Sequence, residues 1–213
     1  MSLGVALAVV TAALIASGAF AAGGRLELYL VNSGPQSAVY NDSSTVDGDC
    51  DQYTRATSLS TVRGNGVLTD SPGYAFEDSG SSLFSYTVPA GFTVKTNANA
   101  VILKLWTSSG DGSCRGQTDD QTIDWRVLCN GACGSNVILT GAAGQDKPGY
   151  QALQIPAGTK NTTLANDHAG PDSAVNVGAG DVITLELSAD TWSVFKWNAP
   201  NGIGASSVSI LQN

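Results

Sequence analysis

Charge is scarce in this 213-residue chain: Asp, Glu, Lys and Arg make up 13% of it, and the 10 basic residues face 18 acidic ones for a net charge of −8. No window gathers more than two basic residues, so the clustered Lys/Arg footprint that phosphate binding requires is missing. Nucleic acid is therefore excluded as a partner, and docking on anionic lipid heads is disfavoured. Histidine is scarcer still: His168 stands alone in Asn166-Asp167-His168-Ala169-Gly170-Pro171, which reads as a loop, and one histidine makes no His-rich metal site. No GxSxG nucleophile motif accompanies it. The expectation from these absences is that the chain is not an enzyme and carries no cofactor.

With so few charges, the polar surface has to be built from Ser, Thr, Asn, Gln and Gly, a composition suited to an extracellular, cell-surface location. The four cysteines fit that compartment. An even number in an exported chain reads as two disulfides with three connectivities open. Cys129-Asn-Gly-Ala-Cys133 contains a turn-forming Asn-Gly and suits a local bridge, leaving Cys50 for Cys114. A zinc site is the rival reading, but Cys50 and Cys114 are isolated and lack a CxxC partner.

Residues 1–24 hold no charged side chain, and Arg25 is the first. As a helix, a stretch of this length spans about 36 Å at 1.5 Å per residue, enough for a hydrocarbon core of roughly 30 Å. Its apolar residues lie on all sides, so it needs lipid, removal as a secretory signal peptide, or a bundle of identical neighbours. The small-residue site Ala19-Phe20-Ala21 supports removal. The uncharged run Ser2-Leu3-Gly4-Val5-Ala6-Leu7-Ala8-Val9-Val10 through Phe20, followed directly by a strand-rich region, resembles the N-terminal helix of archaeal type IV pilins and archaellins. The resemblance implies an extracellular filament of many identical subunits. In it Leu3, Val5, Leu7, Val9, Val10, Leu14, Ile15 and Phe20 form the assembly helix, and the segment meets membrane only before assembly. Small residues such as Gly4, Ala8, Ala12 and Gly18 permit close helix packing.

After Arg25 the pattern changes to short apolar runs separated by Gly, Pro, Asn, Asp and Ser. That is the signature of an Ig-like or jelly-roll β-sandwich over residues 25–213, behind one N-terminal hydrophobic helix over 1–24. Expected strands include 26–31, 83–88, 92–95, 98–107, 122–129, 136–140, 150–155, 173–177, 182–187, 192–197 and 206–211. Val88-Pro89-Ala90-Gly91, Ile155-Pro156-Ala157-Gly158 and Val177-Gly178-Ala179-Gly180-Asp181 mark corners, since Pro fixes φ and Gly accepts positive φ. The first and third resemble corners of virion and jelly-roll domains, which adds a virion or surface-layer protein as a further reading. The stretch from Gly34 to Ser82, poor in apolar residues, reads as long loops with one or two short strands.

Three features suggest ligands. Asp47, Asp49 and Asp51 open with EF-hand spacing, but the loop then has Gln52 where Gly is needed and Ser58 where Glu is needed, so calcium competes with a solvated acidic loop. Asn41 and Asn161 begin N-glycosylation sequons and are candidate glycan sites. Trp106, Trp125, Trp192 and Trp197 offer either core aromatics or a sugar-stacking platform, the core reading being the cheaper. Together these frame the main alternative to the filament, a secreted sandwich that loses residues 1–21 and binds glycans or calcium as an adhesin module.

Overall fold

The computed structural model describes residues 24–31, 39–40, 53–54, 58–62, 73–76, 81–108, 121–141, 148–156, 163–189, 193–196 and 206–213. Among them the secondary structure is all β, and no described helix is long and apolar enough to cross a membrane. The expected helix over 1–24 lies outside the described residues.

The strands run β1 (Arg25–Val31), β2 (Val39–Tyr40), β3 (Tyr53–Thr54), β4 (Ser58–Ser60), β5 (Gly73–Phe76), β6 (Ser81–Thr87), β7 (Phe92–Val94) and β8 (Val101–Ser108). They continue with β9 (Gln121–Gly131), β10 (Gly134–Ile138), β11 (Gln151–Ile155), β12 (Thr163–Ala169), β13 (Val175–Val177), β14 (Val182–Ala189), β15 (Ser193–Lys196) and β16 (Ser207–Leu211). Two sequence expectations are corrected here. Thr163–Ala169 is a full strand paired along its length with β8, so His168 sits opposite Ile102 in a sheet and not in a loop. Its sequence, TLANDHA, has little β propensity, and cross-strand pairing overrides it. Among its described residues the 34–82 stretch holds four short strands, β2 to β5, before β6 begins at Ser81.

One curled sheet carries most of the chain, in the order β10-β9-β14-β6-β4-β1-β16-β8-β15-β5, with β11 also on β9 and β12 also on β8. All of its pairings are antiparallel except the single parallel bridge of Ser58 to Ser85, between β4 and β6. The curl brings β11, paired to β9, against β12, paired to β8.

Period-two alternation places the core. Leu26, Leu28 and Leu30 of β1, Val101, Leu103 and Leu105 of β8, Ile123, Trp125 and Val127 of β9, and Ile183, Leu185 and Leu187 of β14 all point inward and are buried. Phe84, Val208 and Ile210 complete the same cluster. Each fully buried aliphatic side chain contributes about 1.5–3 kcal/mol. The indole of Trp125 ends this apolar packing with a polar contact: its Nε1 donates to Asp167 Oδ2 of β12 at 2.8 Å, tying β9 to β12.

The corner Val177–Asp181 joins β13 to β14, with Gly180 at φ 89°. It is pinned to the Val88 corner by Val88 N donating to Asp181 O at 2.8 Å and Gly180 N donating to Val88 O at 2.7 Å.

Candidate functional site

Two polar stations stand out on this scaffold. The first is the junction where the apolar N-terminal stretch gives way to the sheet. Arg25 is the first charged residue of the sequence and also the first residue of β1. Its guanidinium is held by four acceptors: Nε donates to Ser209 Oγ at 2.6 Å, Nη1 to Asn99 O at 3.1 Å, and Nη2 to Ala100 O at 3.3 Å and Ser209 O at 3.0 Å. Burial lowers its pKa and the neighbouring Glu27 opposes that shift. The planar fork matches several carbonyls at once, which Lys does not.

Around that fork the backbone is also closed. Gln212 N donates to Gly24 O at 2.9 Å, Leu211 N to Ala100 O at 2.7 Å, and Asn213 and Thr93 exchange both backbone bonds at 3.1 and 3.3 Å. Beside Arg25 on the same sheet face, Ser207 Oγ donates to Glu27 Oε1 at 2.6 Å and Lys104 Nζ approaches it at 3.8 Å. Ser207 and Ser209 are buried although they point away from the core, because these long side chains cover them. The half-exposed Lys104–Glu27 pair adds little stability by itself.

The second station is the tip of the β9–β10 hairpin. Cys129 and Cys133 are joined, with sulfurs 2.04 Å apart. Beneath the tip lies the buried carboxylate of Asp181. Its Oδ1 accepts from Ala132 N at 2.5 Å, and its Oδ2 accepts from Gly178 N at 2.8 Å and Cys133 N at 3.0 Å. Converging backbone N–H groups of this kind make a nest for an anion. The bond from Gly178, foremost, and those from Ala132 and Cys133 hold the Asp181 carboxyl below its ordinary pKa, against the opposing pull of burial. Gly131, at φ 133°, is obligatory here: a Cβ on it would collide with Asp181 Oδ1.

The Cys129 and Cys133 sulfurs and an Asp181 oxygen lie within 4.8 Å of one another, a spacing a metal ion would accept. With the sulfurs bonded to each other neither is a thiolate, the form that binds zinc, and the carboxylate is already engaged by three N–H donors.

A third cluster lies on the outer face of β9 and β14. Arg126 Nε meets Glu186 Oε2 at 2.6 Å, its guanidinium lies 4.4 Å over the Tyr150 ring, and its Nη1 donates to Pro148 O at 3.2 Å. Burial, then the hydrogen bond and charge of Glu186, push the Tyr150 phenol up to about 12.

The assembly residues 3–20, the aspartates 47, 49 and 51, the sequon residues 41 and 161, and Cys50 and Cys114 lie outside the described residues. Trp125 is a core aromatic with 0% exposure, which removes it from any sugar platform. The roles of Arg25 and Asp181 escaped the sequence reading. Their signals were there: a first charge at the apolar boundary, and an acid directly after Gly-Ala-Gly at the head of a buried strand.

No protein-family model matches the chain, and no curated protein matches it. Among solved structures, a CocE/NonD family hydrolase from Staphylococcus aureus is similar at 10% identity and a TM-score of 0.50, over 90% of this chain and 37% of that one. A second structure of a CocE/NonD family hydrolase from the same organism aligns over the same shares at 10% identity and a TM-score of 0.47. The chain thus spans 37% of the length of those hydrolase chains, and the likeness to the first is one of fold. It corrects the expectation that an enzyme is excluded: this β architecture occurs within a chain named as a hydrolase, so the fold is no ground for ruling out catalysis.

Proposed function

We propose that this chain is a structural subunit of an extracellular, pilus-like filament, in which residues 1–24 pack as an apolar helix against copies of themselves and the β domain faces outward as an adhesive surface. The observation that carries this reading is the junction at Gly24–Arg25. The apolar stretch runs into β1 without a polar linker, and β1 is fastened there by the Arg25 fork and the Gln212-to-Gly24 bond. A subunit that orients its outer domain on a helical core needs such a joint.

The β domain is read as a jelly-roll sandwich in preference to an Ig-like one. Its supports are the wrapping of the chain and the curl of the sheet: β8, β12 and β16 belong to one half, β6, β9 and β14 to the other, and the chain passes back and forth between them. The Cys129–Cys133 bond supports an oxidising, extracellular location.

Burying an apolar helix of this length against its neighbours removes several hundred Å² from water, at roughly 25 cal/mol per Å². Replacing both Leu7 and Leu14 with Asp tests the reading. Filaments in the native preparation and their loss in the exported, folded double variant, seen by electron microscopy and sedimentation, are expected. An exported variant that assembles like the native protein contradicts it.

A further inference from the structure

We propose that Asp181 protects the Cys129–Cys133 disulfide from thiol reductants by placing a fixed negative charge beside the sulfur that has to leave as a thiolate. Accessibility sets the direction of attack. Cys129 is fully buried, while Cys133 at the hairpin tip is half-buried, so an incoming thiolate reaches the Cys133 sulfur. The new bond joins the reductant sulfur to Cys133 Sγ, the Cys133–Cys129 bond breaks, and its electron pair goes to Cys129 Sγ. A second thiol then resolves the mixed disulfide and leaves both cysteines reduced.

The charge developing on Cys129 Sγ appears 3.7 Å from Asp181 Oδ2. Neither group has water around it to screen the repulsion, because Cys129 is 0% and Asp181 2% exposed. The three N–H donors keep Asp181 ionised and fixed in place. Thiol–disulfide exchange slows as the leaving thiol becomes a worse anion, and a like charge at this range disfavours the thiolate. Only part of the thiolate charge has developed in the transition state, so the protection of the native bond is roughly three- to tenfold.

The test uses the full chain with dithiothreitol at constant pH, following Cys129 and Cys133 by alkylation and peptide mass. Asp181→Asn keeps the size of the side chain and removes its charge, leaving one amide oxygen to accept where the carboxylate has two; Asp181→Glu keeps the charge and disturbs the fit. Reduction of D181N is expected to be roughly three- to tenfold faster than native, with D181E staying near the native rate. A D181N rate within twofold of native overturns the proposal. So does a D181E rate equal to that of D181N, which would trace the protection to tight packing and not to charge. A third measurement needs no variant: glutathione added to the native protein, with rapid alkylation, is expected to be captured on Cys133, and capture on Cys129 contradicts the assigned direction of attack.

Discussion

At the scale of single residues, the polar groups that matter are those the fold has taken out of water and then fully engaged. Asp181 and Tyr150 show it, with three N–H donors around the first and Glu186 with Arg126 around the second, while the exposed Arg25 is engaged by four acceptors without being taken out of water. Leaving such a group unpartnered is what costs stability, more than the net value of its bonds. Tyr150 yields a pH dependence. Its pKa is raised from 10.0 to about 12 in the folded chain, first by burial and then by Glu186, so folding favours the neutral phenol. The corresponding stability is fully present below the unfolded value and is lost as pH rises through the folded one. Between pH 10 and 12 the native protein is expected to lose stability that Tyr150→Phe does not lose, as read from urea midpoints across that range. Equal losses in the two proteins would contradict the assignment.

At the scale of elements, the alternation of apolar and polar residues was enough to place most strands, because a half-buried strand imposes period two on its sequence. Val182–Leu187 shows it most clearly: Ile183, Leu185 and Leu187 are buried, and Val182, Thr184 and Glu186 face outward. Leu185→Ala is therefore expected to destabilise by about 2–5 kcal/mol, and Thr184→Ala by no more than about 0.5 kcal/mol. Chemical denaturation of the two variants checks this, and comparable losses would mean that the faces are misassigned. β12 was not legible in the same way. Asn166, Asp167 and His168 look like a loop, and they become strand because β8 offers a full-length edge and Asp167 receives the Trp125 indole. The buried serines of β16 were equally hidden. SVSIL reads as half-exposed, yet Ser207 and Ser209 are buried and hydrogen-bonded to Glu27 and Arg25 of the neighbouring strand. The Asp181 nest joins residues about fifty positions apart, a distance over which no local pattern in the sequence operates.

At the scale of the whole molecule, the proposed filament subunit pairs an apolar first segment, as core, with a curled β domain, as exterior. The similar hydrolase structure adds that the β architecture also occurs as part of a larger chain, so the domain's fold by itself does not choose among tasks. The choice turns on the fate of residues 1–21. The most direct test of the filament reading is the intact mass of the native protein isolated from its source, taken after reduction and deglycosylation. A mass that retains residues 1–21 is the predicted result. A mass that lacks them would make the chain a secreted β domain and contradict the assembly helix.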